Sequence, residues 1–141
     1  MMTTTENILT ATTLGVRMRT LGFYLPGHPI TLDTIEMSPH LRARLGDLGQ
    51  EFTYQSDKSS TELALCAAKD AMAQANLAPE NIGLVISAPT LLTSYGFEIP
   101  AIGIRAALGL NNADCLNIAQ GCVGFLAAMR LAAHFLKSEP N

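Results

Sequence analysis

Apolar and polar residues follow each other along the chain in patterns that change several times from strand-like to helix-like. The stretch from about Leu14 to Tyr24, closed by Pro26-Gly27, predicts a first strand. Between Thr31 and Leu48 the pattern predicts one or two short helices, and residues 50–58, QEFTYQSDK, predict a loop. The first third of the chain is therefore expected to hold a strand followed by short helices.

The rest of the chain alternates more regularly. A helix rich in Ala and Leu begins at Ser59, which has capping-box spacing to Glu62, and is expected to end at Pro79. Apolar runs predict buried strands at 82–89 and 113–119, with a loop at 90–100 and a short helix at 101–110 between them. This order predicts an α/β fold with a mainly parallel sheet and right-handed crossovers.

The last helix, Gly121 to about Leu136, carries the strongest architectural signal. Between Cys122 and Leu136 only Arg130 and His134 are clearly polar. A helix that is apolar nearly all round is buried on most sides, and this one is too short to span a bilayer. We therefore expect it to lie between two layers, so that the chain either pairs with another chain or forms part of a larger fold.

Composition limits the classes of function. The chain has 141 residues, 48% of them apolar, and a formal charge of -3, which is typical of one core-rich globular domain. The basic residues are scattered, which argues against nucleic acid or an anionic membrane as partner. We expect residues 1–12 to form a flexible N-terminal tail, without the features of a signal peptide, and 13–141 to fold.

The cysteines and histidines indicate a reduced, cytoplasmic setting without a metal. The three cysteines leave at least one unpaired, none forms a C-x-x-C pair, and the three histidines lie at no metal-ligand spacing from them. These residues are Cys66, Cys115, Cys122, His28, His40 and His134.

Cys122 lies where the last strand runs into the last helix. Gly121 and Gly124 flank it, so the turn can be tight and a ligand can approach closely. The N–H groups at a helix N-terminus favour a thiolate, which attacks a thioester carbonyl, and they can also hold the resulting oxyanion. On the residues alone, the alternative is that Cys122 is a small buried hydrophobe, the reading we favour for Cys66 and Cys115.

No base for Cys122 can be named from the residues. His134 is twelve residues further along the same helix, which at about 1.5 Å per residue is roughly 18 Å away. His28 and His40 lie beside prolines in segments expected to be loops. We find no complete Cys-His arrangement in this chain.

Four stretches resemble, in order and spacing, the N-terminal half of a thiolase-fold condensing enzyme of the β-ketoacyl-acyl-carrier-protein synthase III group. The last of them places Cys122 at the position of that family's acylated cysteine. The stretches are LGFYLPGHPIT, SDKSSTELALCAAKDAMAQANLAPENIGLVISAPT, EIPAIGIRAALGL and LNIAQGCVGFLAAM.

The resemblance implies a layered α-β-α-β-α fold built from two similar halves, with the nucleophile helix buried centrally. It implies that Cys122 accepts an acyl group from a coenzyme A or carrier-protein thioester and joins it to a malonyl-thioester with loss of carbon dioxide. Coenzyme A or phosphopantetheine thioesters are then substrates, and no further cofactor is expected. It also implies a homo- or heterodimer through this half, an acyl carrier protein as partner, and Phe97, Glu98 and Ile99 as candidates for the acyl pocket.

The chain departs from the family pattern at several positions. The family's His and Asn lie in a second half that this chain does not contain, so we expect a C-terminal portion to supply them. Gln120 and Val123 replace the small residue and the Ser around the nucleophile, and Asn117 replaces a common Asp. The family's arginine segment is weakly matched by RARLGDLGQEFTYQ. These departures favour a secondary-metabolism or carrier-protein-specific relative over the fatty-acid housekeeping enzyme.

The leading interpretation is the nucleophile-bearing portion of a condensing enzyme or acyltransferase, inactive in condensation as the isolated chain. The second interpretation is a non-catalytic, truncated thiolase-like subunit that scaffolds a heteromer. The third is an unrelated α/β domain in which Cys122 is buried.

Overall fold

The computed structural model describes residues 15–90 and 99–138. All four described helices and both strands of the second half lie close to the predicted positions. The elements are β1 Pro29–Thr31, α1 Pro39–Asp47, β2 Phe52–Tyr54, α2 Ser60–Ala75, β3 Leu84–Ser87, α3 Pro100–Leu108, β4 Asp114–Asn117 and α4 Gly124–Ser138, with single 3₁₀ turns at Leu32–Thr34, Pro79–Asn81 and Gly121–Val123.

The parallel pairing of β3 and β4 organises the second half of the chain. Leu84 pairs with Asp114 and Ser87 with Asn117, and the N–H of Ile118 donates to the Ser87 carbonyl at 2.8 Å, one residue beyond the ladder. The expected α/β fold with a parallel sheet is confirmed. The carboxyl ends of both strands therefore meet at one edge.

Helices cover the two faces of this sheet. Successive residues of a strand point to opposite faces. Cys115 Sγ donates to the Ala101 carbonyl at 3.5 Å, and Asn117 Oδ1 accepts from the Ala101 N–H at 3.3 Å, so these two side chains face α3. Ile118, on the other face, lies beside α4. The most buried apolar residues are on the α3 side, and include Ala101, Ile104, Leu110 and Ala113.

The predicted loop at 50–58 is wrong at its centre, where β2 forms. Thr31 pairs with Phe52 and Pro29 with Tyr54 in an antiparallel ladder of three residues. The rings of Phe52 and Tyr54 also meet edge to face, with centroids 5.9 Å apart. A triplet this short becomes a strand because a distant segment pairs with it, and local pattern does not reveal that pairing.

The predicted strand at 14–24 is also wrong within the described residues, and Leu14 and the expected tail at 1–12 lie outside them. Residues 16–24 join no sheet and instead run along α2. The Phe23 N–H donates to Asp70 Oδ2 at 3.1 Å, and the Thr20 hydroxyl donates to Gln74 Oε1 at 3.1 Å. The backbone N–H of Phe23, which a strand would use for pairing, is thus bonded to a helix side chain.

The capping box predicted for α2 is confirmed. Ser59 Oγ accepts from the Glu62 N–H at 3.2 Å, and the Ser59 N–H donates to Glu62 Oε2 at 2.8 Å. The bonds from the N–H and the hydroxyl of Ser59 lower the pKa of Glu62 below its usual value. The helix ends at Ala75, before the predicted Pro79, because Asn76 adopts the left-handed conformation at φ 49°.

The last helix forms as predicted, but in this chain only one side of it is covered. Gly124 is its one buried residue among those described, whereas Phe125 is 56%, Leu126 66% and Leu136 62% exposed. The sheet supplies one of the two layers that the sequence pattern requires. The outer side of the helix is open because the described residues provide no second layer. None of the described helices is long and apolar enough to cross a bilayer.

Replacing Ser59 by Ala is expected to reduce the free energy of unfolding by about 1 kcal/mol, because the first turn of α2 loses the acceptor for the Glu62 N–H. Urea denaturation followed by far-ultraviolet circular dichroism measures the change. Ser38→Ala, at the N-cap of the shorter and more exposed α1, is a matched comparison and should cost less. Equal losses of unfolding free energy in Ser59→Ala and Ser38→Ala would contradict the larger contribution expected from the α2 cap.

The Glu62 carboxylate adds a pH dependence to this cap. Since folding lowers the pKa of Glu62, its contribution to stability is complete above the ordinary pKa of a glutamate. That contribution disappears as the pH falls through the lowered value. The stability difference between the natural chain and Glu62→Gln should therefore shrink on acidification, and a difference that is constant from pH 7 to pH 3 would contradict this.

Gly22→Ala is expected to destabilise the chain by about 1–3 kcal/mol, because overpacking displaces backbone. A Cβ at Gly22 would lie less than 3.0 Å from the Ala67 carbonyl oxygen and the Ala71 nitrogen. Gly46→Ala is the control, since a Cβ at Gly46 meets nothing within 4 Å. Urea denaturation should show a loss for Gly22→Ala alone.

Candidate functional site

The candidate site is the turn that joins β4 to α4. The chain leaves β4 at Asn117, passes Ile118, and enters the single 3₁₀ turn Gly121–Val123 that leads directly into α4. The end of β3 lies beside this turn, since a Cβ at Gly121 would lie 4.0 Å from the Thr90 carbonyl oxygen. In sheets of this kind, ligands bind at the carboxyl ends of the parallel strands.

Cys122 is the second residue of the 3₁₀ turn and is exposed, with a free thiol. Cys66 and Cys115 are partly buried. Cys66 lies within α2, and the thiol of Cys115 donates to a backbone carbonyl. Within the described residues, exposure and position at the strand–helix junction thus distinguish Cys122 from the other two thiols.

The two flanking glycines have different structural tasks. Gly121 has a φ of +53°, in the left-handed region that favours glycine. Gly124 is buried, and a Cβ there would be 3.4 Å from the Ala88 Cβ and 3.7 Å from the Ile118 carbonyl oxygen. Gly121 therefore permits the turn, and Gly124 permits the first turn of α4 to pack closely on the end of β3.

The backbone N–H groups of the turn are not equivalent. The Gly124 N–H donates to the Gly121 carbonyl and closes the 3₁₀ turn. Within residues 15–90 and 99–138, no backbone carbonyl accepts the N–H of Cys122. Of the groups at this turn, the N–H of Cys122 is consequently better placed than that of Gly124 to donate a hydrogen bond to a ligand's oxygen.

A groove of about 680 Å³ lies beside the turn, along one side of α4. Mostly apolar side chains line it. The lining residues are Ile118, Gln120, Val123, Leu126, Ala127, Arg130, Leu131 and His134. Sequence reasoning recognised the apolar character of this helix but not the groove, whose signal was the spacing of its residues at 123, 126, 127, 130, 131 and 134.

The predicted acyl-pocket residues are only partly covered by the structure. Phe97 and Glu98 lie outside the described residues. Ile99 is the N-cap of α3 and is 46% exposed. Because Asn117 Oδ1 holds the N–H of Ala101 in the first turn of that helix, Ile99 is near the end of β4. Sequence reasoning noted Asn117 as a replaced Asp but missed this capping role, which either side chain can perform.

The turn contains no second ionisable partner for the thiol. His134 is twelve residues along α4 from Cys122, and the helix forms without interruption from Gly124. His28 and His40 are exposed, and His40 lies in the first turn of α1, where the sequence suggested a loop. Among the described residues, no group of three or more His, Cys, Asp or Glu side chains is arranged to hold a metal ion.

Comparison with curated proteins shows consistent sequence similarity to one enzyme. The chain is 30% identical over 130 residues to the β-ketoacyl-[acyl-carrier-protein] synthase III of Aquifex aeolicus, a match that covers 89% of this chain and 41% of that enzyme. It is 30% identical over 123 residues to the same enzyme of Bacillus pumilus, covering 84% of this chain and 39% of the enzyme. No family model matches the chain.

Comparison with solved structures gives the same fold. The structure of the 3-oxoacyl-[acyl-carrier-protein] synthase III of Aquifex aeolicus is similar with a TM-score of 0.72 and 27% identity, over 85% of this chain and 40% of that one. The acyltransferase ChlB3 gives a TM-score of 0.74 at 23% identity, over 86% of this chain and 38% of that one, which shows the fold alone.

The chain thus spans about two fifths of the length of the curated relatives it matches. In sequence and in its thiolase-type α/β fold, the chain is similar to part of β-ketoacyl-[acyl-carrier-protein] synthase III.

Proposed function

We propose that this chain is the nucleophile-bearing portion of a condensing enzyme or acyltransferase of the synthase III type. One observation carries the proposal. An exposed cysteine occupies the turn between a parallel strand and the following helix, at the sheet edge where ligands bind. Cys122 is the group that receives the acyl chain.

The acyl transfer is written as a thiol–thioester exchange. The Cys122 thiolate attacks the carbonyl carbon of an acyl thioester of coenzyme A or of a carrier protein. A new carbon–sulfur bond forms, the tetrahedral oxyanion collapses, and the bond to the carrier sulfur breaks. The carrier leaves as a thiolate and takes up the proton that Cys122 lost, so no cofactor beyond these thioesters is needed.

The oxyanion of this step would accept hydrogen bonds from backbone N–H groups at the turn. The N–H of Cys122 is the first candidate, because that of Gly124 already bonds to the Gly121 carbonyl. Gly121 supports the site through its positive φ, and Gly124 through its packing on Ala88.

The second step would join the acyl group to a malonyl-type thioester. Loss of carbon dioxide leaves an electron pair on the malonyl α-carbon, which attacks the acyl carbonyl on Cys122 and releases the Cys122 thiolate. The developing negative charge on the malonyl thioester oxygen requires polarising groups. We propose that a His and an Asn in a C-terminal portion supply them. Among the residues that line the described groove, the one histidine is His134.

The acyl chain would lie between the turn and the start of α3, with Ile99 as the described member of that pocket and Phe97 and Glu98 as its other proposed members. The product would be a β-ketoacyl thioester for fatty-acid or polyketide biosynthesis. One structural relative, with a TM-score of 0.67, is named a priming β-ketosynthase of a polyketide biosynthetic pathway. We further propose an acyl carrier protein and a homo- or heterodimer as the natural context.

A second candidate function is that of a non-catalytic subunit. The uncovered apolar side of α4 favours it, because such a surface suits a scaffold that assembles with another chain. Under this alternative Cys122 takes no part in chemistry.

Incubation with an acyl thioester of coenzyme A, in the presence of a C-terminal portion bearing the His and Asn, is expected to add one acyl group to Cys122, measured by intact mass. Cys122→Ala should remove the adduct, whereas Cys66→Ala and Cys115→Ala should retain it, because those thiols are partly buried. A persistent adduct in Cys122→Ala, or none in the natural chain, would favour the scaffold.

The isolated chain is expected to catalyse no condensation. The chain lacks the groups proposed to stabilise the decarboxylated malonyl thioester. Removing even one oxyanion donor from a site of this kind reduces turnover by about 10²–10³-fold. Release of carbon dioxide from a malonyl-thioester in the presence of an acyl thioester measures the reaction. Robust turnover by the purified chain alone would contradict the division of catalytic groups proposed above.

A further inference from the structure

The first turn of α3 is capped by a strand side chain. Within the described part of the chain, Ile99 at the N-cap makes no side-chain bond to the helix, and Pro100 has no N–H to satisfy. The N–H of Ala101 donates to Asn117 Oδ1 at 3.3 Å, and the two N–H groups that follow it donate to the Ile99 carbonyl. Asn117 therefore caps α3 from 16 positions further along the chain.

The strand β4 holds Ala101 at two points. Cys115 and Asn117 are two residues apart on this strand, so their side chains leave it on the same face. Cys115 Sγ donates to the carbonyl of Ala101 at 3.5 Å, while Asn117 accepts from its N–H. Ala101 is 0% exposed. Both polar backbone groups of one buried residue are thus bonded to β4, which fixes the start of α3 relative to that strand.

The same contacts restrict Ile99. A proline disfavours the helical region for the residue before it, and Ile99 has φ −105° and ψ 94° in front of Pro100. Its carbonyl accepts bonds from the helix, and its side chain is 46% exposed. The Ile99 side chain is therefore presented from a backbone whose position depends on the bond between Asn117 and Ala101.

The start of α3 and the turn at Cys122 rest on one residue of β3's end. Ala88 lines a cavity of about 320 Å³ together with Pro100. A Cβ at Gly124, the first residue of α4, would be 3.4 Å from the Ala88 Cβ. Asn117 ends β4, and Cys122 follows five residues later. A shift of α3 would therefore change the position of Ile99 relative to the turn.

We propose that Asn117 is a positioning residue that, through its bond to Ala101, sets where Ile99 stands and thereby which acyl chains Cys122 accepts. The inference rests on the proposed function, which gives Cys122 the acyl group and makes Ile99 part of the acyl pocket. Asn117 touches no reacting atom. It acts through Ile99, because the attraction between an apolar wall and an acyl chain depends steeply on their separation.

Asn117→Ala removes the acceptor for the Ala101 N–H. The rates at which acetyl- and octanoyl-coenzyme A acylate Cys122, measured by intact mass with the C-terminal portion present, give a chain-length preference. We expect Asn117→Ala to change the ratio of the two rates by roughly threefold, as for the loss of a helix cap, in the same direction as Ile99→Ala. Asn117→Asp keeps an acceptor oxygen and should keep the natural ratio.

Two comparisons separate positioning from loss of stability. Ser59→Ala removes the cap of α2 and should leave the ratio unchanged. In the Ile99→Ala background, Asn117→Ala should add nothing, because it acts through that side chain. Asn117 is exposed, so its replacement leaves no buried cavity, and circular dichroism checks the fold of each variant.

Four results would each overturn the proposal. They are an unchanged ratio in Asn117→Ala, the same change in Ser59→Ala, a loss of the natural ratio in Asn117→Asp, and additive effects of Asn117→Ala and Ile99→Ala.

Alkylation separates this proposal from the proposed function. N-methylmaleimide and N-hexylmaleimide react with the Cys122 thiol without acyl transfer, and peptide mass analysis gives the ratio of their rates on the same variants. A ratio that depends on Asn117 in the absence of any acyl adduct overturns only the acyl-transfer chemistry. Normal adducts with both ratios independent of Asn117 overturn only the positioning role.

Discussion

The site depends on the parallel pairing of β3 with β4. That ladder, continued by the bond between the Ile118 N–H and the Ser87 carbonyl, sets the carboxyl ends of both strands side by side. Only then can Gly124 pack against Ala88, where a Cβ would already be at 3.4 Å. This close approach fixes where α4 begins, directly after the turn that carries the exposed Cys122.

The same geometry leaves apolar sides of the helix that follows Cys122 uncovered by the described residues. One side packs on the sheet, where Gly124 is buried, and the other sides expose Phe125, Leu126 and Leu136. Exposed apolar surface of this extent marks an interaction site in a folded protein. The relatives, of which this chain spans about two fifths, have further chain length with which to cover it.

Local signals predicted the elements that local interactions stabilise. The Ser59–Glu62 box, the apolar run of β3 and the glycines around Cys122 act within a few residues, so α2, β3 and the turn at Cys122 could be located from sequence. The errors at 14–24 and 50–58 arose where distant segments decide, because Asp70 takes the N–H of Phe23 and Pro29–Thr31 pairs with Phe52–Tyr54. Asn117 belongs with these cases, since its cap on α3 joins residues 16 positions apart.

The exposed thiol and the groove belong to one continuous unit of the structure. The 3₁₀ turn Gly121–Val123 leads directly into α4, and Val123 lines the groove beside that helix. Because Gly124 holds the start of α4 against Ala88, the same contact fixes the position of Cys122 and the direction in which the helix and its groove run. A change at Gly124 would therefore alter both features together.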